Sequence, residues 1–304
     1  MSVTTEAVAE TADLSGSGAG SLSCASGSGE STMLKVGFLG GGRMAHALAK
    51  GFISAGLTKG ESIIASCHPA DVVLAEAFKS LGSTVTYNNP EVAQKSDVII
   101  ISTKPSVVPM VLAEAKPNIT PKNLLISVAM GITLKQLESL LPPKTRVVRA
   151  MPNTPALVKQ GASVFVCGSA ASKDDAVLTK KLFEAVGICE QVPEYLLDAV
   201  TGLSGSGPAY IYVLIEAMAD GAVRMGIPRD LAYRLAAQTV VGAGRMVLET
   251  KEHPGVLKDN VTSPAGSTAA ALYHLEKSGF RSAVIGALEA ATLKSKEISK
   301  TIAN

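Results

Sequence analysis

Residues 36–45 read Val36-Gly37-Phe38-Leu39-Gly40-Gly41-Gly42-Arg43-Met44-Ala45 and decide the fold of the chain. A short apolar run comes first, and residues with the spacing of an amphipathic helix follow. Between them, Gly40, Gly42 and Ala45 fit the pattern G-x-G-x-x-A, which combines a tight turn, room for a pyrophosphate and close packing of the helix. A helix beginning here offers free N–H groups and a positive dipole end to phosphates. This context between a strand and a helix predicts a dinucleotide site.

The alternation of strand and helix continues from this motif to about residue 192. Apolar, β-branched runs predict strands at 34–39, 62–65, 83–86, 97–102, 124–127, 145–150, 163–167 and 188–192. Segments with helical spacing, such as 44–55 and 69–81, lie between several of them. Strand–helix–strand alternation predicts a mainly parallel sheet with helices on both faces. We therefore expect an α/β domain with a Rossmann-type doubly wound sheet over residues 33–193.

The rest of the chain, residues 194–304, carries only helical signals. Helices are predicted at 206–225, 229–249, 267–277 and 281–302. The first of these is apolar on most faces, so it must be covered on all sides. A helical domain this small has too few helices to do so. We therefore expect an all-helical C-terminal dimerisation domain in a dimer or larger oligomer; the alternative is that the long helix packs entirely against the first domain.

Composition excludes several classes of protein. The chain has 304 residues, of which 47% are hydrophobic, and its net charge is only +2. High hydrophobicity excludes global disorder, and the small charge gives no sign of a nucleic-acid partner. The longest apolar stretches are about half of the roughly 20 residues needed to span a bilayer, so no membrane segment is expected. Residues 1–32 are rich in Ser and Gly and have no Lys or Arg, so we expect a disordered tail.

The cysteines and the N-terminus bear on the compartment. Cys24, Cys67, Cys167 and Cys189 form no CxxC pair and have no His-rich neighbourhood, so neither a disulfide framework nor a metal site is predicted. Their pattern suits a reducing compartment. The tail has neither the Arg-rich character of a mitochondrial transit peptide nor the basic start of a secretory signal. A cytoplasmic location is the default expectation.

Cofactor-binding residues are predicted in the loops at the carboxyl ends of strands, where open α/β sheets bind ligands. An NAD site usually has an acid at the end of the second strand, but this strand ends in Ser66 and Cys67, the expected contacts. The missing acid, with Arg43 nearby, favours NADPH; use of both cofactors is the alternative. Lys104 either faces phosphate or substrate or is an ordinary solvated lysine. The predicted set from the residues alone is Leu39, Gly40, Gly41, Gly42, Arg43, Met44, Ser66, Cys67, Asn89, Ser102, Thr103, Lys104, Pro105, Val128, Ala129 and Met130.

The substrate end shows no obvious proton donor. Interconversion of an alcohol and a ketone usually needs a proton donor such as His, Lys or Tyr. None of the four histidines lies in a recognisable catalytic motif. The glycine-rich stretch 201–208 resembles the interdomain helix start of β-hydroxyacid dehydrogenases, in which a catalytic lysine follows. That position is Ile211 in this chain, which argues against an alcohol dehydrogenase. Close helix packing is the other role for these glycines.

Residues 257–268, Leu-Lys-Asp-Asn-Val-Thr-Ser-Pro-Ala-Gly-Ser-Thr, run into a helix. Residues 263–268 form a helix start of small residues whose N–H groups suit a substrate carboxylate. Simple N-capping by Ser263 or Ser267 explains the same residues equally well. Spacing alone leaves both interpretations open.

This segment is similar to the signature of pyrroline-5-carboxylate reductases, and the likeness extends over residues 33–300. It is carried by residues 36–49, 151–155, 198–210, 220–226 and 257–268. The short C-terminus and Leu141-Pro142-Pro143 look most like the cytoplasmic animal isoform. Ala265 departs from the glycine of many members; because alanine enters helices readily, we expect only small geometric effects.

The resemblance implies NAD(P)H-dependent reduction of the cyclic imine 1-pyrroline-5-carboxylate to L-proline, the last step of proline biosynthesis. It implies that Thr268 donates a hydrogen bond to the ring nitrogen, while the backbone of Gly266, Ser267 and Thr268 binds the carboxylate. It places Asn260 against the nicotinamide ribose and Glu194 at the substrate end. It also implies dimers with interleaved C-terminal helices, grouped into homodecamers as pentamers of dimers.

Two other functions are weighed against this one. A β-hydroxyacid dehydrogenase is disfavoured by Ile211, and turnover of 3-hydroxy acids would support it. A non-catalytic NADPH-binding scaffold or redox sensor would not need a carboxylate-binding helix start. Cofactor binding without any oxidation of NADPH by pyrroline-5-carboxylate would favour the sensor.

Overall fold

The computed structural model of the chain describes residues 33–303, so the disordered tail predicted over residues 1–32 lies outside them. Eight strands occur in this part, and each overlaps a strand predicted from the sequence. They are β1 (Val36–Leu39), β2 (Ile63–Ser66), β3 (Thr84–Thr86), β4 (Val98–Ile101), β5 (Leu124–Ser127), β6 (Arg146–Met151), β7 (Gly161–Cys167) and β8 (Gly187–Gln191).

All eight strands join one sheet in the order β3-β2-β1-β4-β5-β6-β7-β8. The strands from β3 to β6 pair in parallel, with Val36 of β1 opposite Ile63 of β2 on one side and Val98 of β4 on the other. The order reverses beside β1, since β2 and β4 flank it. This topology confirms the doubly wound α/β fold, and the reversal places the glycine turn after β1 at the crevice where such sheets bind ligands.

β7 reverses direction, which the sequence analysis did not predict. It pairs antiparallel with β6, and β8 then pairs parallel with β7. Residues 152–160 connect β6 to β7 without an α-helix. A parallel crossover needs a connection of a dozen or more residues, so this short connection can lead only to an antiparallel neighbour.

Both faces of the sheet are covered by helices. The helices of this part are α1 (Arg43–Ser54), α2 (Val72–Lys79), α3 (Asn89–Lys95), α4 (Val108–Ala115), α5 (Leu134–Leu140) and α6 (Lys173–Glu184). Phe38 packs with Phe52 of α1 and Phe78 of α2, while its neighbour Leu39 belongs to the core on the opposite face with Leu112 of α4. Because successive strand residues face opposite sides, strands covered on both faces are apolar throughout.

From residue 194 onward the described chain forms helices. They are α7 (Leu197–Val200), α8 (Gly207–Arg224), α9 (Arg229–Thr250), α10 (Pro254–Asn260), α11 (Ser267–Lys277) and α12 (Phe280–Ala303). α10 was not predicted, although Pro254 at its first position is a known start signal. Among residues 33–303, no helix is both long and apolar enough to cross a membrane.

These helices leave many apolar side chains uncovered within one chain. Tyr212 and Val213 of α8 are 60% and 65% exposed, and Leu248 of α9 is 69% exposed. Ile285 of α12 is 67% exposed. Large apolar side chains left exposed on three helices in this way are typical of a protein–protein interface.

Candidate active site

The glycine turn after β1 is closed on one side and open on the other. Gly40 has φ +99°, a left-handed conformation that glycine adopts without steric cost. A Cβ added to Gly40 would lie 2.6 Å from Thr103 Cγ2, and one added to Gly41 would lie 2.4 Å from Cys67 Sγ. At Gly42 the nearest atom to an added Cβ is the Ser102 carbonyl oxygen at 3.9 Å. The turn is therefore tightly packed at its first two glycines and open at the third.

The N-terminus of α1 begins at this open position. Gly42 is its N-cap, and among the described residues no side chain accepts a hydrogen bond from the first helical N–H groups. Those groups have no partner inside the helix either. Free N–H groups beside an open glycine fit the pyrophosphate of a dinucleotide.

The loop after β4 supports the glycine turn and presents a hydroxyl without a partner. The Ser102 hydroxyl donates to the Gly40 carbonyl oxygen at 2.6 Å, and the Ser102 N–H donates to the Leu39 carbonyl oxygen at 2.9 Å. Thr103 Oγ1 is buried and has no partner among the described residues. Leaving such a group unpaired costs about 1–3 kcal/mol. A bound ligand that pairs with Thr103 would remove that cost, so the residues present fit a dinucleotide cofactor.

The remaining predicted cofactor residues have different surroundings. The Leu39 side chain is fully buried in the core, so only its backbone faces the loop. Arg43 and Lys104 are exposed. Cys67 is nearly buried, and desolvation by burial, with a smaller contribution from the Asp71 carboxylate, raises the pKa of its thiol. Cys67 therefore stays a neutral thiol at the closed side of the glycine turn.

A cavity of about 250 Å³ opens at the carboxyl ends of the strands. It is lined by residues of α1, of the loops after β4, β5 and β6, and of the turn before α8. They are Met44, Ser102, Thr103, Val128, Ala129, Met130, Met151, Pro152, Asn153, Thr154 and Gly205. None of these lining residues carries a titratable side chain. The cavity can hold and orient a small molecule, but it offers no acid or base of its own.

Asn153 joins the cavity to the helical part of the chain. Its side-chain amide donates to the Ser204 carbonyl oxygen at 3.0 Å, and its side-chain oxygen accepts from the Ala162 N–H at 2.9 Å. Asn153 is only 7% exposed. Both ends of this amide are thus used to fix the loop after β6 against the turn before α8.

That turn is one turn of π-helix, Thr201–Gly205. The Ser206 N–H donates to the Thr201 carbonyl oxygen at 2.8 Å, as the wider π-turn requires. A Cβ added to Gly202 would lie 2.9 Å from the Leu288 carbonyl oxygen of α12, and one added to Gly205 would lie 2.6 Å from Met151 Cε. The glycines therefore serve close packing here, and single π-turns of this kind occur often at functional sites.

The loop after β6 and Gly205 line the cavity but were not predicted as site residues from the sequence. The signal for residues 151–154 was available, because they follow a strand whose carboxyl end lies at the same edge of the sheet as those of β4 and β5. Gly205 had no such signal, since its position depends on the π-turn.

The segment 257–268 forms the end of α10, a turn and the start of α11. Gly266 is the N-cap of α11, and among residues 33–303 no side chain caps this helix. N-capping by Ser263 or Ser267, the simpler alternative, is therefore not found. Ala265 lies outside the helix with φ +55°, so the expectation that it enters the helix is wrong. The exposed Ser267 and the partly exposed Thr268 occupy the first turn.

Asn260 and residues 266–268 do not line the cavity of their own chain. Among the described helices, α1 and α11 both begin without a side-chain cap, and of these two N-termini only that of α1 adjoins the cavity of its own chain. How the predicted substrate residues meet the cavity is therefore not explained by a single subunit.

Glu194 has structural partners in this chain. Its carboxylate oxygen Oε1 accepts from the Leu134 N–H at 2.8 Å and lies 3.0 Å from Nη1 of Arg149. Arg149 is 7% exposed at its side chain and Glu194 is 35% exposed. Glu194 is not among the residues that line the cavity, and it joins the start of α5 to β6.

Among the described residues, no group of three or more His, Cys, Asp or Glu side chains could hold a metal ion. The three cysteines in this part, Cys67, Cys167 and Cys189, are free thiols.

Two family models match the chain. The model described as pyrroline-5-carboxylate reductase dimerisation matches residues 194–298. The model described as NADP oxidoreductase coenzyme F420-dependent matches residues 35–131. The two matches fall on the helical half and on the half that carries the glycine turn.

Curated relatives and solved structures extend over most of the chain. Pyrroline-5-carboxylate reductase 3 of Rattus norvegicus is 47% identical over 266 residues, which is 88% of this chain and 96% of the relative. Human pyrroline-5-carboxylate reductase 2 is 42% identical, over 87% of this chain and 84% of the relative. The crystal structure of Plasmodium falciparum pyrroline carboxylate reductase with NADP bound superposes with a TM-score of 0.80 at 34% identity, covering 88% of this chain and 98% of that one.

Proposed function

The chain belongs to the pyrroline-5-carboxylate reductase family, and from this we propose that it reduces 1-pyrroline-5-carboxylate to L-proline with NAD(P)H. It is an oxidoreductase that acts on a carbon–nitrogen double bond. The observation that carries the proposal is the cavity beside the glycine turn, whose lining has no titratable side chain.

A neutral cavity suits an imine better than a ketone. Reduction of a ketone leaves an alkoxide that a nearby acid must protonate, whereas a protonated imine is already electrophilic and becomes a neutral amine. When bound, the reduced dinucleotide supplies the hydride. The protein must then bind, orient and exclude water, and these tasks require shape rather than a general acid.

The N-terminal half holds the cofactor in this proposal. The uncapped N-terminus of α1 and the open Gly42 bind the pyrophosphate, and Thr103 Oγ1 donates to the bound dinucleotide. Residues 128–130 and 151–154 line the place of the nicotinamide and the imine. NADPH is the proposed preference over NADH, because no acid ends β2 to repel a 2′-phosphate.

The helical half supplies the substrate contacts from a second copy of the chain. The exposed apolar side chains of α8, α9 and α12 support a dimer, and a dimerisation model matches this half. In the dimer, Asn260 and the N-terminus of α11 from one subunit meet the cavity of the other. The Gly266 N–H already donates to the Ser263 carbonyl oxygen at 3.1 Å, so the free N–H groups of Ser267 and Thr268 bind the carboxylate. The Thr268 hydroxyl oxygen accepts a hydrogen bond from the N–H of the protonated imine. The homodecamer stays a prediction from the resemblance, and the cytoplasmic location stays the expectation drawn from the cysteines and the N-terminal residues.

The first test compares NADPH with NADH as reductants of pyrroline-5-carboxylate by the purified protein. We expect turnover with both and a lower KM for NADPH. Thr268→Ala should lower turnover about 10- to 100-fold, the range of one or two hydrogen bonds made in the transition state. Turnover of 3-hydroxy acids without turnover of the imine would reject the proposal.

Mixed dimers test the shared site. One subunit carries Gly42→Asp, which blocks its cofactor site, and the other carries Thr268→Ala. If each active site combines the cofactor-binding half of one subunit with the helical half of the other, each mixed dimer has one intact site. It then recovers about half of the activity of the parent dimer. If they meet within one subunit, the mixed dimer is no more active than its parts.

A further inference from the structure

A line of hydrogen bonds crosses four elements beside the glycine turn. The Gly40 N–H donates to Ser66 Oγ at 3.3 Å, and the Ser66 hydroxyl donates to Asn89 Oδ1 at 2.6 Å. Asn89 Nδ2 donates to a carboxylate oxygen of Glu114 at 2.7 Å. The line joins the turn after β1, the end of β2, the start of α3 and the exposed side of α4.

The chemistry of Glu114 determines the direction of this line. A carboxylate only accepts hydrogen bonds, whereas the two ends of an asparagine amide are one donor and one acceptor. If the Asn89 amide were reversed, its oxygen would face the Glu114 oxygen, and that hydrogen bond would become a repulsion. Glu114 therefore selects the amide orientation in which Asn89 Oδ1 faces Ser66.

Without Glu114 the reversed amide would be tolerated. Asn89 Nδ2 could then donate to Ser66 Oγ, and the Ser66 hydroxyl could donate instead to the Phe38 carbonyl oxygen, which lies 3.4 Å away. Both arrangements satisfy Ser66. Among the described residues, only Glu114 distinguishes between them.

The selected orientation leaves a specific donor free. The single proton of Ser66 is used on Asn89, and one of the two N–H groups of Asn89 Nδ2 is used on Glu114. The second N–H of Nδ2 is left for a ligand at the end of β2, where a doubly wound fold holds the adenosine ribose. A hydrogen bond donated to a charged phosphate is about twice as strong as one donated to a neutral hydroxyl.

We propose that Glu114 is a positioning residue for the cofactor: by fixing the Asn89 amide, it keeps an N–H group ready for the 2′-substituent of the adenosine ribose. The inference rests on the proposed use of NAD(P)H. In this proposal Glu114, an exposed acid on α4, helps the protein to bind NADP more tightly than NAD. It acts through Asn89 and not through a contact of its own with the cofactor. Its effect lies in cofactor affinity and not in turnover at saturating cofactor, because neither Asn89 nor Glu114 lines the cavity proposed to hold the imine.

The test measures binding of NADP⁺ and of NAD⁺ to the full-length protein by isothermal titration calorimetry. Glu114→Ala should weaken NADP⁺ binding about tenfold and NAD⁺ binding about threefold, because the phosphate loses the stronger hydrogen bond. The KM for NADPH should rise in the same proportion, with kcat unchanged at saturating cofactor. The melting temperature without cofactor should not change.

Two further variants separate positioning from charge and from general effects. In an Asn89→Ala background, Glu114→Ala should have no further effect, since the amide through which it acts is gone. Glu76→Ala removes another exposed carboxylate, which pairs with Lys79 on α2, and should leave both affinities unchanged.

The outcomes are distinct. Tighter NADP⁺ binding by Glu114→Ala would show that Glu114 acts only as a repelling charge and would overturn the proposal. So would unchanged binding, an equal loss for both dinucleotides, or a loss that persists in the Asn89→Ala background. Failure of the parent protein to bind either dinucleotide would instead reject the proposed function.

Discussion

An acidic residue at the start of the helical half can either bind the substrate or stabilise the fold, and substitution of Glu194 tests which of the two it does. The family resemblance puts it at the substrate end, whereas its side chain bonds to the Leu134 N–H and to Arg149. Substitution of Glu194 by alanine removes both bonds at once. If Glu194 mainly stabilises the fold, the alanine variant loses stability and keeps its affinity for the substrate.

The size of the loss follows from burial. A hydrogen bond to a charged group contributes about 1.5–3 kcal/mol, and leaving a buried charge without its partner costs about 3–5 kcal/mol. Arg149 is almost fully buried, but Glu194 is 35% exposed, so water can reach the guanidinium once the carboxylate is gone. We therefore expect a loss of about 2–3 kcal/mol, below the range for a fully buried pair.

Thermal unfolding followed by circular dichroism measures this loss. At about 2–4 °C per kcal/mol for a chain of this size class, Tm should fall by about 4–12 °C. The KM for pyrroline-5-carboxylate should stay within a factor of two or so. The double variant Arg149→Met with Glu194→Met should be more stable than Glu194→Met alone, because it leaves no unpaired guanidinium. An unchanged Tm together with a tenfold higher KM would refute this reasoning and return Glu194 to the substrate.

Three further predictions follow from single residues. Ala265→Gly should raise the free energy of unfolding by up to about 1 kcal/mol in denaturant titrations, because φ +55° strains alanine and not glycine; a loss of stability would contradict that geometry. Thr103→Val should weaken NADP⁺ binding about 3- to 10-fold in calorimetry, since it removes the unpaired hydroxyl with little change of shape, while Thr103→Ser should bind like the parent. Burial raises the pKa of the Cys189 thiol to about 12 from 9.0, so the unfolded thiol ionises first and stability falls as pH rises from 9 towards 12. Unfolding at a series of pH values should show that this part of the fall is absent in Cys189→Ala.

The sheet could be predicted because its signals are local. Runs such as residues 98–101 are apolar on both faces, and every predicted strand is present. The reversal of β7 also had a local cause, the short connection over residues 152–160, but recognising it requires knowing that β6 and β7 are neighbours. Strand order and direction depend on pairing between distant segments, and the pattern within each strand does not contain that information.

The site could be predicted where backbone chemistry forms it. The glycine turn at residues 40–42 and the uncapped start of α11 are visible as small residues before a helix, and both occur at the expected places. The contacts of Ser66, Glu194 and Asn153 could not be foreseen, since each has partners at least nine and up to 60 residues away. Ala265 shows the limit most directly, because the same residue suits a helix or a strained turn until the start of the helix is known.

The neutral cavity also explains why a lysine would be harmful where related folds use one. A protonated imine is a cation, and a second unit charge 4 Å away at an effective dielectric constant of 20 would destabilise it by about 4 kcal/mol. Since 1.36 kcal/mol corresponds to one pKa unit, such a lysine would lower the pKa of the imine by about three units and remove the electrophile at neutral pH. Ile211, which the likeness to β-hydroxyacid dehydrogenases puts in the place of that lysine, lies on α8 and carries no charge. Charge repulsion thus excludes a second cation beside the imine but permits a neutral hydroxyl that accepts a hydrogen bond from its N–H, and Thr268 is the hydroxyl that the helical half provides at the start of α11.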